Sequence, residues 1–173
     1  MQKMDADMPD YGDPGGDDFA ALSRDRFPIR SMTGDDLGAI IAIDRKLTGR
    51  DRRDYYQAKH REMMDETGVR VSLVAEVDGR PVGYIMARVD YGEFGRTEPA
   101  AVIDTIGVEP GLGHKGIGAA LLSQLLANLD ALHVERVRTA VTWNNFSLLG
   151  FLARHGFAPA QQLALGRPAD KRD

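Results

Sequence analysis

A glycine-rich segment at residues 108–118 constrains the fold more than any other part of the chain. It follows an apolar run, 101–108, that predicts a buried strand, and it precedes an amphipathic helix that begins at about Gly116. The first backbone N–H groups of a helix lack intrahelical partners, and together with the helix dipole they bind anions. Glycine lets a ligand approach the backbone and adopts positive φ readily. The segment therefore predicts a site for a phosphate-bearing ligand.

Length and composition predict one globular domain, because 173 residues suffice for a real core and 43% of them are hydrophobic. No apolar run approaches the roughly 18 residues that span a bilayer, and the first residues lack the apolar segment of a secretory signal. The absence of cysteine excludes disulfides, thiolate nucleophiles and Cys-ligated zinc. We therefore expect a cytoplasmic protein with no metal in its site.

The net charge of −4 is unevenly distributed along the chain. Residues 1–26 contain seven aspartates and three basic residues, whereas the remaining 147 residues contain 19 acidic and 19 basic ones. This balance argues against nucleic-acid binding, which requires a basic excess. We predict a disordered acidic tail at 1–26, a single domain at 27–167 and a short C-terminal tail at 168–173.

Hydrophobic periodicity predicts an α/β fold that contains, in chain order, one strand, two helices, three antiparallel strands, then helix, strand, helix and strand. Asp78-Gly79 is a two-residue hairpin turn between the second and third strands. The predicted strands are 29–32, 70–77, 80–91, 101–108, 135–141 and 157–165. The predicted helices begin at Leu37, Asp51, Gly116 and Asn145.

The glycine segment has alternative interpretations. Residues 111–116 match the G-x-G-x-x-G dinucleotide fingerprint, but that motif belongs to the first turn of a βαβ unit, and here three antiparallel strands come first. A Walker A loop is excluded because Lys115 is followed by Gly116 and Ile117 instead of serine or threonine. A purely structural glycine turn remains a further alternative.

Another interpretation uses residues 113–118 together with the Val108-Glu109-Pro110 sequence before them. This stretch resembles motif A of the GCN5-related N-acetyltransferase (GNAT) superfamily, in which valine-x-proline leads into Arg/Gln-x-x-Gly-x-Gly/Ala. Asn145, eleven residues before Gly156-Phe157, resembles a second signature of that family. The order of elements from about 29 to 165 is also similar to the GNAT fold, a mixed, mostly antiparallel sheet flanked by helices.

The resemblance implies that acetyl-CoA is the cosubstrate. The main chains of Ile106 and Val108 would pair with the pantetheine arm as an added strand does, and the turn would hold the pyrophosphate. Gly113 departs from the family, which usually has arginine or glutamine there. Lys115 would assist as a charge or lie in solvent, and Asn145 would orient the cofactor or cap its helix. The implied cofactor-binding residues are Ile106, Val108, Gly113, His114, Lys115, Gly116, Ile117, Gly118 and Asn145.

The resemblance also implies direct attack of a primary amine on the thioester, with the acceptor bound between the first two helices and the central strands. The N–H of Val108 would stabilise the oxyanion. In many members a tyrosine acts as general acid, but that position here is Leu152. Either another group such as Tyr84 or Tyr91 protonates the leaving thiolate, or the thiolate leaves without a proton. The second route is feasible because a thiol has a pKa near 8.5.

Asp104 is the first candidate for the general base. By strand alternation it shares a face with Val102, Ile106 and Val108, and an acid in such an apolar row is typical of functional sites. The alternative is an acid paired with backbone or an arginine. The loop before this strand contains Glu93, a weaker catalytic candidate, and Glu98. Each would act as a base, attract a cationic substrate or simply be solvated.

The resemblance thus implies an N-acetyltransferase that acts on a primary amine of a protein or small molecule. The alternative is an acyl-CoA-binding module without catalysis, which Leu152 and Gly113 favour. A nucleotide-dependent enzyme is a third hypothesis. Family members often form dimers, so a homodimer is consistent with the resemblance; we expect no nucleic-acid or membrane partner.

Overall fold

Five strands form one sheet in the order β1-β2-β3-β4-β5 in this computed structural model, which describes residues 26–65, 71–91, 97–162 and 164–169. Within those ranges the strands are β1 (Ile29–Ser31), β2 (Leu73–Val77), β3 (Arg80–Asp90), β4 (Ala100–Val108) and β5 (Arg136–Thr139). The helices in the same ranges are α1 (Leu37–Thr48), α2 (Arg53–Asp65), α3 (Ile117–Ala131) and α4 (Phe146–Arg154).

The first four strands pair antiparallel with their neighbours, and β4 pairs parallel with β5. The predicted mixed, mostly antiparallel sheet with flanking helices is therefore confirmed. Contacts divide the chain into two units, Met1–Ala140, which contains the sheet, and Val141–Asp173, which contains α4. Most of the two predicted tails lies outside the described residues, so the proposed domain boundaries stay predictions.

The last predicted strand, 157–165, is wrong. The described residues of that segment adopt no strand conformation. Pro159 offers no backbone donor to a ladder, and the neighbouring glutamines 161 and 162 are exposed. The helix before it ends at Arg154; Gly156 then adopts φ of +81°, and the Phe157 N–H donates to the Leu152 carbonyl at 3.1 Å.

Opposite faces of the sheet bury different helices. Alternation along β3 directs Tyr84 and Met86 to one face, where they cluster with Ile40 of α1 and Tyr56 of α2. Gly83, the residue before Tyr84, lies on the other face, towards α3. A Cβ at Gly83 would come within 2.8 Å of Ile117 Cγ2 and 3.2 Å of Leu121 Cδ1, so the absence of a side chain lets α3 approach the sheet.

A buried aspartate fixes the start of α1 to β1. Both carboxylate oxygens of Asp36 accept hydrogen bonds from Arg30, at 2.7 and 2.8 Å, and the Thr33 N–H donates to Oδ2 at 2.8 Å. Thr33 and Asp36 thus form a capping box, in which the acid three residues on binds the N–H of the cap residue. The hydrogen bonds from Arg30 lower the pKa of Asp36 despite its burial. Arg30 also donates from Nε to Glu76 on β2 at 2.8 Å.

Replacing this carboxylate should make the stability of the protein less dependent on acid pH. Because folding lowers the pKa of Asp36, its stabilisation is complete above the ordinary value of 3.8 and is lost as the pH falls through the lowered value. We expect Asp36→Asn to reduce the free energy of unfolding by about 1–2 kcal/mol at pH 7 and by much less near pH 2. Urea denaturation across this range measures the difference.

Asp35→Asn is the matched control, because Asp35 is exposed and adjacent in the chain. An Asp36→Asn loss that stayed constant down to pH 2 would contradict the assignment of the effect to this ion pair.

Candidate functional site

Strand β4 has a partner along its whole length on one edge but only along its first half on the other. Its pairing with β3 continues to Val108, which lies opposite Gly83. Its pairing with β5 ends where Ile103 lies opposite Thr139. Within the described part of the first unit, residues 104–108 therefore have no strand partner on the β5 edge.

The main chains of Ile106 and Val108 face this open edge. The Glu109 N–H donates to the Val82 carbonyl at 2.8 Å, so the hydrogen-bonding groups of Glu109 point towards β3. Backbone groups alternate in direction along a strand, so those of Gly107 also point towards β3 and those of Ile106 and Val108 point the opposite way. These are the two residues whose main chains were predicted to pair with a ligand.

A bulge in β4 changes the predicted position of Asp104. Thr105 lies opposite Met86 and Ile103 lies opposite Ala87, so Asp104 is an extra residue in the ladder. The side chain of Asp104 lies on the face of α2, where Lys59 Nζ is 3.5 Å from Oδ2. Val108 lies opposite Gly83 and therefore faces α3.

The prediction that Asp104 shares an apolar row with Ile106 and Val108 is therefore wrong, because one inserted residue reverses the alternation. Asp104 Oδ2 is also 3.6 Å from Arg88 Nε, and 15% of its side chain is exposed. This is the ion-paired arrangement considered as the alternative. Its role as a base stays a prediction.

Lys59 joins the same cluster from α2. Its ammonium also donates to Glu62 at 3.1 Å. Burial lowers the pKa of Lys59, but the hydrogen bond to Glu62 and the charge of Asp104 outweigh burial, so the pKa is raised overall.

The other acid and base candidates do not converge on Asp104 in the described residues. Glu93 lies outside them. Glu98 is exposed and its carboxylate is 3.9 Å from Arg136. Tyr91 is 70% exposed, and Leu152 is buried in α4 of the second unit. Tyr84 is 1% exposed, and burial raises its pKa, which makes it a weaker proton donor.

The turn after β4 ends in a helix start with free donors. Residues Pro110–Leu112 form a 3-10 turn, and Gly116 precedes α3 with φ at +87°. The Gly116 carbonyl accepts the first helical hydrogen bond, from Ala120 at 2.9 Å. The N–H groups of the first turn of α3 therefore have no intrahelical acceptor; they belong to Ile117, Gly118 and Ala119.

Positive φ explains the glycine at 116 but not the one at 113. Gly113 has φ at −55°, which any residue adopts, whereas His114 has φ at +64°. The sequence did not indicate this left-handed histidine. Gly113, His114 and Lys115 are all exposed, so the turn presents its surface to solvent.

Asn145 lies in the second unit and caps α4. Its Oδ1 accepts a hydrogen bond from the Leu148 N–H at 3.2 Å. Capping was one of the two predicted roles of this residue, and it is confirmed. Contact with the cofactor stays a prediction.

A buried polar cluster behind β4 is the main feature that the sequence did not reveal. Asp44 of α1 is 2% exposed, and its carboxylate accepts hydrogen bonds from Arg52 and from the Tyr56 hydroxyl, the latter at 2.9 Å. The Tyr56 hydroxyl lies 2.8 Å from that of Tyr84 and 3.5 Å from Thr105 Oγ1. The sequence offered no signal for Asp44, because its helix is otherwise patterned as an ordinary amphipathic element.

Hydrogen bonds keep the acid of this cluster ionised. Burial raises the pKa of Asp44, but donors from Arg52 and Tyr56 outweigh burial and lower it overall. Burial also raises the pKa of Tyr56. The cluster is therefore a carboxylate held by neutral phenols and a guanidinium.

Across the described ranges, no group of three or more His, Cys, Asp or Glu side chains is arranged to hold a metal ion. No helix within the part of the chain that the structure describes is long and apolar enough to cross a membrane.

Comparison with known structures identifies the fold. The aminoglycoside N-acetyltransferase AAC(6')-Iy, in complex with a CoA bisubstrate analogue, superposes with a TM-score of 0.70 at 16% identity, over 83% of this chain and 99% of that chain. AAC(6')-Ih from Acinetobacter baumannii gives a TM-score of 0.69 at 16% identity, over 83% and 99% of the two chains. At these identities the likeness establishes the fold alone.

Sequence comparison identifies the family. An N-alpha-acetyltransferase from Sulfurisphaera tokodaii is 27% identical over 165 residues, with coverage of 86% of this chain and 96% of that protein. The sequence model described as "Acetyltransferase (GNAT) family" matches residues 39–157, well over half of the chain. The chain therefore belongs to the GNAT family and is an acetyl-CoA-dependent N-acetyltransferase, as its turn had predicted.

Proposed function

We propose that this enzyme holds acetyl-CoA along the open edge of β4 and the first turn of α3, and transfers the acetyl group to a single primary amine. The observation that carries the proposal is the unpaired edge, where the main chains of Ile106 and Val108 face away from β3. An extended pantetheine arm supplies the acceptors and donors that a missing strand would otherwise supply.

The helix start would hold the diphosphate. The turn from Gly113 to Gly118 brings unpaired N–H groups to the positive end of α3, and Gly116 has no Cβ to keep the ligand away. Lys115 is exposed beside these donors, where its charge favours an anion. The residues present therefore fit a phosphorylated cosubstrate.

The chemistry at the other end requires little from side chains. Bound acetyl-CoA supplies an activated thioester. The Val108 N–H, directed to the open edge, would stabilise the developing oxyanion. Asp104 lies on the face of α1 and α2, the side on which we expect the acceptor, so we assign it the removal of the proton from the amine.

Charge balance around Asp104 favours an acceptor with one amino group. The described charged side chains in this ion-pair network are three acids and three bases, so they offer no acidic surplus for a polycation. They are Lys59, Glu62, Arg88, Asp90, Asp104 and Arg138. We therefore favour a peptide α-amine over an aminoglycoside.

The cytoplasmic location and the homodimer that the sequence suggested stay predictions. Cell fractionation tests the first, and light scattering of the purified chain tests the second.

Substituting Gly116 should weaken coenzyme A binding. Gly116→Ala places a Cβ at a left-handed position beside the free donors, so we expect a strain of about 1–2 kcal/mol and an affinity loss of about tenfold or more. Calorimetry with coenzyme A measures the affinity. Gly49→Ala is the matched control, because Gly49 has φ at +70° at the end of α1 and nothing within 4 Å of its missing Cβ. Equal loss of affinity in both variants would contradict the proposed diphosphate site.

Removing the carboxylate of Asp104 should slow turnover. Thiol release from acetyl-CoA is measured separately with three acceptors. They are a peptide with a free N-terminus, a peptide whose N-terminus is acetylated but whose lysine side chain is free, and neamine. We expect the first peptide to be the best acceptor and Asp104→Asn to lower kcat by about a hundredfold, within the range typical of a general base. Asp90→Asn is the control, because Asp90 also lies near Arg88, with its Oδ2 4.0 Å from Nη1.

Unchanged turnover in Asp104→Asn would remove this residue from the reaction. Tight coenzyme A binding without turnover on any amine would instead favour the acyl-CoA-sensing alternative. Preferential binding of NAD or ATP would favour the nucleotide hypothesis.

A further inference from the structure

We propose that Tyr56 is a positioning residue whose hydroxyl, held by Asp44, fixes the bulge of β4 and so aligns the main chain along which the acyl group binds. This inference rests on the proposed function of the open edge. It assigns a role in the reaction to a side chain that the sequence pattern presents only as part of a polar helix.

Tyr56 is the centre of the buried cluster. It is fully buried, and its hydroxyl contacts Asp44, Tyr84 and Thr105 at 2.9, 2.8 and 3.5 Å. Asp44 accepts from Arg52 as well, so its carboxylate is fixed in orientation. The hydroxyl is therefore held by a charged group on α1 and not by packing alone.

The cluster contacts β4 at both ends of its functional segment. Thr105 follows the bulge residue Asp104 and lies two positions after Ile103, which forms the last pair between β4 and β5. Further along, the Tyr84 ring covers Gly107, where a Cβ would lie 2.7 Å from Cε1. The two tyrosines therefore support β4 on either side of Ile106.

This support matters because, within the described part of the first unit, β4 has no strand partner on its β5 edge over these residues. A strand held on one edge only is free to shift, and a displacement of about 1 Å at a reacting group can cost a hundredfold in rate. The tyrosine hydroxyls restrain β4 from the face of the sheet. The diphosphate site at α3 is a separate structure, so binding and turnover should respond differently when a hydroxyl is removed.

Tyr56→Phe tests the proposal because it removes the hydroxyl and keeps the ring. We expect kcat for thiol release to fall about tenfold, whereas KM for acetyl-CoA and the Kd of coenzyme A change by less than about threefold. Tyr55→Phe is the matched control: the Tyr55 ring contacts Tyr56 and Arg52, but its hydroxyl is not among the hydrogen-bonding groups of the described cluster, so its removal should leave kcat unchanged. Circular dichroism and thermal unfolding confirm that each variant is folded at the assay temperature.

Thr105→Val removes the contact from the strand side and serves if Tyr56→Phe fails to fold. It should lower kcat by at most the same factor, and the double variant should be no slower than Tyr56→Phe, because the contact that Thr105→Val removes is already lost with the Tyr56 hydroxyl. Additive losses, or unchanged kcat in folded Tyr56→Phe or Thr105→Val, would overturn the proposal. Wild-type turnover measured in parallel keeps this failure distinct from failure of the proposed function.

Discussion

The hydrogen-bonding capacity of β4 is the constraint on which the rest of the structure depends. A strand carries donors and acceptors on both edges, and those that are kept from water must find partners. In the described part of the first unit, β4 pairs with β3 from Ala100 to Val108 except at the bulge residue Asp104, whereas it pairs with β5 only from Ala100 to Ile103. Under the proposed function, the remaining residues bind the pantetheine arm, and the first N–H groups of α3, which have no intrahelical acceptor, bind the diphosphate. One interruption in a ladder would thus create a site made of main chain.

The bulge at Asp104 separates two tasks that regular alternation would have combined. After the extra residue, Val108 faces α3, while Asp104 stays on the face of α1 and α2 with Lys59. The main chain beside α3 is then available for the cosubstrate, and the charged side chains lie on the face where the acceptor is expected. A bulge next to an active site is a common means of redirecting a side chain.

The two faces of the sheet are stabilised in different ways. Against α3 the contact is apolar, and Gly83 allows Ile117 and Leu121 to approach closely. Against α1 and α2 the core includes the ionised Asp44, which costs free energy to bury and is offset by Arg52 and Tyr56. Such a network demands one geometry, because each donor must meet its acceptor. The buried polar cluster therefore lies on the face that, under the proposed function, requires a defined geometry behind the reacting groups.

The sequence by itself determined the strand–turn–helix unit around residues 106–118 and the order of nearly all elements, because these depend on local periodicity and on local glycine conformation. The family was implied by the resemblance of residues 108–118 and Asn145 to GNAT motifs. The sequence also identified Asn145 as a candidate cap. Only the tertiary structure decided which face Asp104 occupies, where β4 leaves β5, and that Asp44, Tyr56, Tyr84 and Thr105 meet. Those features depend on register and on contacts between residues distant in the chain. The segment 157–165 shows the same limit of sequence-based prediction. Its apolar residues match the pattern of a strand, but Pro159 lacks the backbone donor that a ladder requires.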